Sequence, residues 1–342
     1  MRFVTWSAGS GAQLGVLLDA TADDSGGLLL PLDRAGTRGG REIDRAIADG
    51  DLVALLLADP GLEATRAAVA VMAPAGARAA AVERDGVHLM APLPRPPKVV
   101  CVGLNYRDHV DEQHIELPSR PTLFAKFSNA VIADGEAIVH HDRTHALDLE
   151  AELAVVIGRR ARRLTAAQAL AHVAGYTVVN DVSARDLQGQ KQALGPGERG
   201  DGQWLRAKGS DTFLPMGPAL VTADAVPDPG RLRVRSWRTP ASGPAKGIAN
   251  PMQSSTTASM IWGVAEIIEF ISAVITLEPG DVIATGTPAG VGVFRDPPIF
   301  LEPGDVASVE VEGIGRLDNP VVDPDGNAPQ GSPAEVLLRR HV

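Results

Sequence analysis

Short apolar runs broken by glycine and proline dominate the chain after residue 98 and constrain its fold most strongly. The runs 153–157 and 176–181 are rich in β-branched residues and end at glycine or at a polar side chain. This pattern predicts strands, because β-branched side chains pack well on a pleated surface. Only two segments predict helices here: 165–173, with Thr165 as N-cap, and 261–275. The sequence therefore predicts an α+β fold that is mainly β.

A proline cluster at residues 92–98 divides the chain. Prolines at this density cannot continue a helix or an interior strand, so we place a domain boundary there. Residues 1–95 then predict a smaller N-terminal α/β domain, and 98–322 a larger one. From residue 323 to 342 the composition is rich in proline, aspartate and glycine, and we expect an irregular C-terminal tail.

The charge balance excludes several kinds of partner. With 32 basic and 42 acidic residues among 342, the net charge is −10, which argues against nucleic acid and anionic membrane surfaces. No run approaches the ~18 to 20 apolar residues that a membrane span needs. The single cysteine, Cys101, excludes an internal disulfide, and its apolar neighbours predict a buried, inert thiol. We therefore expect a cytoplasmic protein that binds neither nucleic acid nor membrane.

Three acidic residues suggest a site for a divalent metal. Glu150 and Glu152 lie two apart at the start of one predicted strand, and Asp181 ends the next. Residues i and i+2 of a strand point to the same face, so the two glutamates converge, and Asp181 joins them if the strands are neighbours. Carboxylates without cysteine or paired histidine suit hard cations such as Mg²⁺, Mn²⁺ or Ca²⁺. The spacing alone also fits acids on a solvated strand face.

A histidine and a glutamate offer acid–base chemistry. If a helical turn begins at Tyr106, His109 and Glu112 are i and i+3 neighbours, and the carboxylate can orient the imidazole and raise its basicity. A histidine held in this way can act as a general base toward water. Taken alone, the spacing fits an exposed ion pair on a helix better than a catalytic pair.

Six segments together carry a resemblance to a known family. Over residues 98–322 the chain resembles the fumarylacetoacetate hydrolase family, and the match before residue 98 is less specific. The matching segments occur in one order along the chain: 103–112, 150–153, 180–188, 207–213, 279–292 and 315–319.

The resemblance implies a fold, a metal and a substrate class. Residues 98–322 would form a mixed β-sandwich roll next to the smaller N-terminal domain, and the protein would be a homodimer. Glu150, Glu152 and Asp181 match the acids that bind Mg²⁺, Mn²⁺ or Ca²⁺ in the family. The substrate would be a small 2-oxo acid or β-diketo acid.

The resemblance also implies roles for further residues. Lys208 is similar to the family's active-site lysine, and His109 with Glu112 would activate water. Arg185 and Gln188 match positions where some members contact substrate oxygens. Tyr106 is a further candidate for substrate contact in a chain with few aromatic residues. In the glycine-rich turn 285–290, backbone amides and the Thr287 hydroxyl are expected to hold the substrate carboxylate.

Several activities remain open on this sequence. The first interpretation is a metal-dependent hydrolase that cleaves a carbon–carbon bond in an acylpyruvate or related β-diketo acid. The alternative is an oxaloacetate-type 2-oxo acid decarboxylase, or a 2-hydroxy-dienoate isomerase or hydratase, with the same metal site. A non-catalytic protein that keeps the fold is a third reading, against which the complete set of acids, lysine and His/Glu pair argues.

Overall fold

The chain forms two large β-sheets, and its fold is α+β and mainly β, as predicted. The computed structural model describes residues 1–339 apart from 8, 10, 19–26, 37–39, 73 and 85. The strands are β1 (Arg2–Ser7), β2 (Ala12–Leu18), β3 (Leu28–Pro31), β4 (Val82–Glu83), β5 (His88–Met90), β6 (Val99–Gly103), β7 (Thr122–Lys126), β8 (Val131–Ile132), β9 (Ile138–Val139), β10 (Leu147–Asp148), β11 (Ala151–Ile157), β12 (Val173–Asn180), β13 (Ser183–Ala184), β14 (Leu214–Thr222), β15 (Arg233–Thr239), β16 (Asn250–Thr256), β17 (Val282–Ala284), β18 (Val306–Val311) and β19 (Gly315–Val322). The helices are α1 (Arg41–Ala48), α2 (Leu52–Ala58), α3 (Glu63–Val71), α4 (Pro74–Ala80), α5 (Arg107–Glu112), α6 (Ala166–Ala169), α7 (Arg185–Gln188), α8 (Trp204–Lys208), α9 (Val264–Ser272) and α10 (Pro333–Leu338).

The larger sheet crosses the predicted domain boundary. Its main path is β4-β3-β2-β1-β14-β12-β11-β17-β6-β7, and β1 pairs antiparallel with β14, where Phe3 lies opposite Leu220. Residues 91–98 contain no helix or strand, as the prolines predict. The N-terminal region nevertheless shares a hydrophobic cluster with the rest of the chain, in which Leu55 belongs to the same group of buried side chains as Ala154. The two regions therefore share one sheet and one hydrophobic cluster.

The second sheet packs against the centre of the first. Its order is β16-β15-β18-β19-β9, and β11 and β12 lie against β18 and β19. Along β11, Leu153 and Val155 belong to the cluster between the sheets, whereas Ala154 and Val156 belong to the cluster on the opposite face. β11 is buried on both faces, which explains its nearly continuous apolar sequence.

The predicted helices form, with shifted ends. The predicted helix 165–173 is α6 followed by a 3₁₀ turn, and Val173 already begins β12. The predicted helix 261–275 shortens to α9. At its start, Ile261 N donates to the backbone oxygen of Asn105 at 2.7 Å, and this contact keeps residue 261 outside the helix. Among the described residues, no helix is long and apolar enough to cross a bilayer.

The C-terminal tail is not irregular throughout, so that prediction is wrong for α10. Ser332 caps this helix by accepting a hydrogen bond from Glu335 N at 3.2 Å, and Pro333 occupies its first turn. Ala334 is fully buried, and its backbone N–H donates to Gly304 O at 3.1 Å. A serine cap before proline is a helix-start signal that the polar composition obscured. The last part of the predicted tail, 340–342, lies outside the described residues.

We expect Ser332→Ala to lower the free energy of unfolding by about 1 kcal/mol, because it removes the side-chain acceptor at the start of α10. Chemical denaturation measures the loss. Ser119→Ala, at an exposed position, is the control and should leave stability unchanged. Equal stability of the two variants would mean that the cap does not hold the tail.

Candidate active site

The strand pairing brings three carboxylates to one point. Ala151 at the start of β11 lies opposite Asn180 at the end of β12, so Glu150 and Asp181 are neighbours, and Asp181 N donates to Glu150 O at 2.9 Å. Oxygen atoms of Glu150, Glu152 and Asp181 lie within 4.8 Å of one another. All three residues are buried, which excludes the alternative of a solvated strand face.

Three buried cations surround these acids. Lys208 Nζ lies 2.7 Å from Glu150 Oε2 and 2.8 Å from Asp181 Oδ2. Lys126 Nζ lies 2.8 Å from Asp181 Oδ1, and Arg185 Nη2 lies 2.6 Å from Glu150 Oε1. Glu150 and Asp181 are therefore compensated by positive charge on both of their oxygens.

Glu152 is in a different electrostatic position. It accepts a backbone hydrogen bond from Gly286 N at 2.7 Å, while burial and the neighbouring charges of Asp181 and Glu150 raise its pKa well above the ordinary value. For Glu150, burial would also raise the pKa, but Lys208 and Arg185 outweigh it and hold that pKa far below the usual range. A divalent cation at these three oxygens would remove the repulsion on Glu152. The donor set thus fits a hard cation.

A second group of three side chains also lies close enough to share an ion: His145, Asp186 and Glu198. His145 Nδ1 lies 3.1 Å from Asp186 Oδ2, and its Nε2 lies 3.5 Å from Glu198 Oε2, so the histidine pairs with both acids. His145 and Glu198 are exposed. The buried group around Glu150 is the stronger candidate, since its members converge out of solvent.

α5 holds the histidine and glutamate as an i, i+3 pair. His109 Nδ1 lies 2.6 Å from Glu112 Oε1, and the other oxygen of Glu112 accepts from Gly290 N at 2.8 Å. Both side chains are largely buried, with exposed fractions of 8% and 18%, so the alternative of an exposed ion pair does not hold. Because Glu112 takes the Nδ1 side of the ring, Nε2 is the nitrogen available for proton transfer.

The carboxylates and the histidine open onto the same cavity, of about 80 Å³. Lys208, Arg185, Gln188 and Thr287 also line it. Aromatic side chains form part of its wall: Phe124 and Trp204, whose rings meet edge to face at 5.5 Å, and Phe294, whose ring lies 5.9 Å from that of His109. The cavity is therefore polar at the acids and apolar at the wall.

The turn at 285–290 is engaged by the protein's own groups. Thr287 Oγ1 donates to Ala151 O at 3.0 Å and accepts from Gln253 Nε2 at 2.7 Å. The backbone amides of Gly286 and Gly290 bind Glu152 and Glu112. The turn thus fixes two acids of the site. Thr287 also lines the cavity, and its contact with the substrate carboxylate stays a prediction.

The structure places the three other predicted substrate contacts, Tyr106, Arg185 and Gln188, in different surroundings. Tyr106 is fully buried in the core between the sheets and does not line the cavity, so the structure contradicts its role as a substrate contact. Arg185 lines the cavity, but its guanidinium is paired with Asp148 and Glu150. Gln188 also lines the cavity, and its Oε1 accepts from Arg185 Nη1 at 3.1 Å.

Sequence reasoning missed Lys126 and Asp148. Lys126 is fully buried and donates to Val182 O, Phe213 O and Lys208 O, besides its contact with Asp181. Burial lowers its pKa, although Asp181 opposes the shift. Asp148 lies two residues before Glu150, but β10 ends at Asp148 and β11 begins only at Ala151, so the alternation of Glu150 and Glu152 does not extend to it.

The fold and the site together define an enzyme whose buried acids can hold a divalent cation. A family model described as fumarylacetoacetate (FAA) hydrolase C-terminal matches residues 98–322. The chain belongs to the fumarylacetoacetate hydrolase family, as the sequence resemblance indicates.

Curated relatives and solved structures support this assignment. Over 239 residues, 70% of this chain and 71% of the relative, the chain is 46% identical to a mitochondrial oxaloacetate tautomerase of Bos taurus, and 43% identical to the Homo sapiens protein of that name over the same shares. A fumarylacetoacetate hydrolase structure from Exiguobacterium antarcticum aligns with a TM-score of 0.73 at 33% identity, covering 94% of this chain and 99% of that one. A 5-carboxymethyl-2-hydroxymuconate delta-isomerase from Mycobacterium smegmatis aligns with a TM-score of 0.65 at 32% identity, with the same coverage.

We expect Glu152→Gln to have opposite effects on stability and on metal binding. A raised pKa means that the ionised carboxylate costs stability at neutral pH, so the neutral amide should raise the thermal midpoint of the metal-free protein. Mn²⁺ should raise the wild-type midpoint but not that of the variant. Calorimetry with and without a chelator measures both, with Glu302→Gln, at an exposed position, as control. A variant that still responds to Mn²⁺ would refute this metal site.

Proposed function

We propose that this protein is a divalent-metal-dependent tautomerase that interconverts the keto and enol forms of a small 2-oxo dicarboxylic acid of the oxaloacetate type. The observation that carries the proposal is His109, held by Glu112, on the same small cavity as Glu150, Glu152 and Asp181. Relatives that are 43% and 46% identical and named oxaloacetate tautomerases support it.

The histidine has the arrangement that a proton shift requires. Glu112 fixes the Nδ1 side of the His109 ring, which directs Nε2 to the substrate. In the keto-to-enol direction, Nε2 accepts a proton from the carbon next to the 2-oxo group and then returns that proton to the carbonyl oxygen, so the histidine ends neutral. One C–H bond breaks and one O–H bond forms, and no water is consumed.

The cations of the site stabilise the charge that develops on the substrate. Mg²⁺ or Mn²⁺, held by Glu150, Glu152 and Asp181, would supply Lewis-acid polarisation of the 2-oxo group when bound. Burial by itself would lower the pKa of Lys208, but Asp181 and Glu150 outweigh it and raise that pKa above its ordinary value. Lys208 thus stays protonated at neutral pH and stabilises negative charge on the substrate oxygens.

Hydrolysis of a carbon–carbon bond is the second candidate, and the His109–Glu112 pair is the observation that favours it. A base that accepts a proton from carbon can also accept one from water. The relatives named oxaloacetate tautomerases nevertheless support an isomerase, one of the alternatives from the sequence, over the hydrolase that was the first interpretation. Homodimer formation, a cytoplasmic location and the choice among Mg²⁺, Mn²⁺ and Ca²⁺ stay predictions.

We expect the purified protein with Mn²⁺ to accelerate the loss of the ultraviolet absorbance of enol-oxaloacetate, and a chelator to remove this activity. His109→Gln should lower the rate by roughly 10² or more, because it removes the proton acceptor, while Mn²⁺ affinity stays unchanged. His172→Gln, at a histidine that contacts Arg159 O, is the matched control. Full activity of His109→Gln would refute the assigned base.

Product analysis by mass spectrometry separates the candidate reactions. Tautomerisation leaves the mass of oxaloacetate unchanged, whereas decarboxylation releases CO₂ and pyruvate. Metal-dependent cleavage of acetylpyruvate to pyruvate and acetate, with no effect on enol-oxaloacetate, would establish hydrolysis in place of the proposal.

A further inference from the structure

Asp148 lies two residues before Glu150 but does not join the three converging carboxylates. It is buried, with an exposed fraction of 1%, and both oxygens are saturated. Oδ2 accepts from Arg185 Nε at 2.9 Å and from Val293 N at 3.1 Å. Oδ1 accepts from Leu149 N at 2.9 Å and from Gly292 N at 2.8 Å. No lone pair of Asp148 is left over for a ligand, so its role is to position the protein groups that donate to it.

The first group that it holds is Arg185. This guanidinium lies between two buried carboxylates, since Nε donates to Asp148 and Nη2 lies 2.6 Å from Glu150 Oε1. Asp148 thereby balances a positive charge that would otherwise act on Glu150 alone. Without that balance, Arg185 would compete more strongly with a divalent cation for Glu150.

The second group is the backbone that supports the His109–Glu112 pair. The amides of Gly292 and Val293 that bind Asp148 directly precede Phe294, whose ring lies 5.9 Å from the ring of His109. The approach requires glycine: a Cβ at Gly292 would lie 2.7 Å from Asp148 Oδ1 and 1.8 Å from Ile299 O. One carboxylate therefore contacts both the side that holds Glu150 and the side that holds the histidine.

We propose that Asp148 is a positioning residue that couples the metal ligand Glu150 to the His109–Glu112 pair, through Arg185 on one side and Gly292–Phe294 on the other. The inference rests on the proposed metal-dependent function. It assigns a role to an acid that contacts neither the cation nor the substrate.

The test compares two buried aspartates that have the same kinds of hydrogen-bond partner. Asp305 is also fully buried and accepts from an arginine, Arg238 Nε at 2.6 Å, and from the backbone amides of Ala241 and Glu302 at 2.7 and 2.9 Å. Its partners belong to the β15–β18 region and to the turn before β18, away from the cavity. Asp148→Asn and Asp305→Asn therefore remove equivalent charges and hydrogen bonds at two different places.

We expect Asp148→Asn to weaken Mn²⁺ binding about tenfold or more, as loss of a residue that orients a metal ligand does. Loss of the free-ion electron paramagnetic resonance signal measures the binding. Asp305→Asn should stay within twofold of the wild type. Unchanged affinity in Asp148→Asn, or an equal loss in both variants, overturns the inference. A wild-type protein that binds no Mn²⁺ overturns the proposed function first.

The route through Arg185 has its own test, which avoids leaving a buried arginine unpaired. In an Arg185→Gln background, adding Asp148→Asn should change Mn²⁺ affinity less than twofold, because the charge that Asp148 balances is already absent. A further tenfold loss in this background shows that Asp148 acts by another route and overturns the coupling through Arg185.

The link to the histidine is measured at saturating Mn²⁺. There kcat of Asp148→Asn should remain at least about tenfold below that of the wild type, because the support of His109 is displaced even when the cation is bound. Full recovery of kcat at saturating Mn²⁺ overturns this half of the coupling.

Discussion

Mutual repulsion among buried carboxylates is the constraint on which the rest of the structure depends. Asp148, Glu150, Glu152 and Asp181 are all nearly inaccessible to water, and three buried cations stand among them: Lys126, Arg185 and Lys208. Counted as ionised, four negative and three positive charges leave one negative charge. A divalent cation would reverse the sign of this sum and make the site attractive to an anionic acid. The same charges that cost stability would therefore favour binding of a divalent cation first and of an anionic substrate after it.

The sequence predicted the site's components better than its arrangement. The alternation of Glu150 and Glu152, and the i, i+3 spacing of His109 and Glu112, reflect local backbone geometry and are reproduced. Asp148 could not be predicted in this way, because β10 ends there and β11 begins only at Ala151, so the alternation is interrupted. The buried position of Tyr106 and the contact of Lys126 with Asp181 depend on packing between distant segments, which spacing does not encode.

For the fold as well, local features could be predicted from the sequence, whereas pairing between distant segments could not. Strand composition and the proline cluster at 92–98 predicted the mainly β region and the place where regular structure stops. They could not predict that β1 joins β14, since this pairing joins residues far apart in sequence. The consequence for the site is that the sheet carrying β11 and β12 continues into the N-terminal region, which supports the site's strands from one side.

The turn at 285–290 has a consequence for how such a site can diversify. Its amides hold Glu152 through Gly286 and Glu112 through Gly290, so a change in its length would disturb two acids of the site at once. Side chains on the cavity wall, such as Gln190 and Trp204, contribute none of these bonds. Proteins that keep this turn can therefore differ in substrate through replacement of residues on the cavity wall, while the positions of the two acids stay the same.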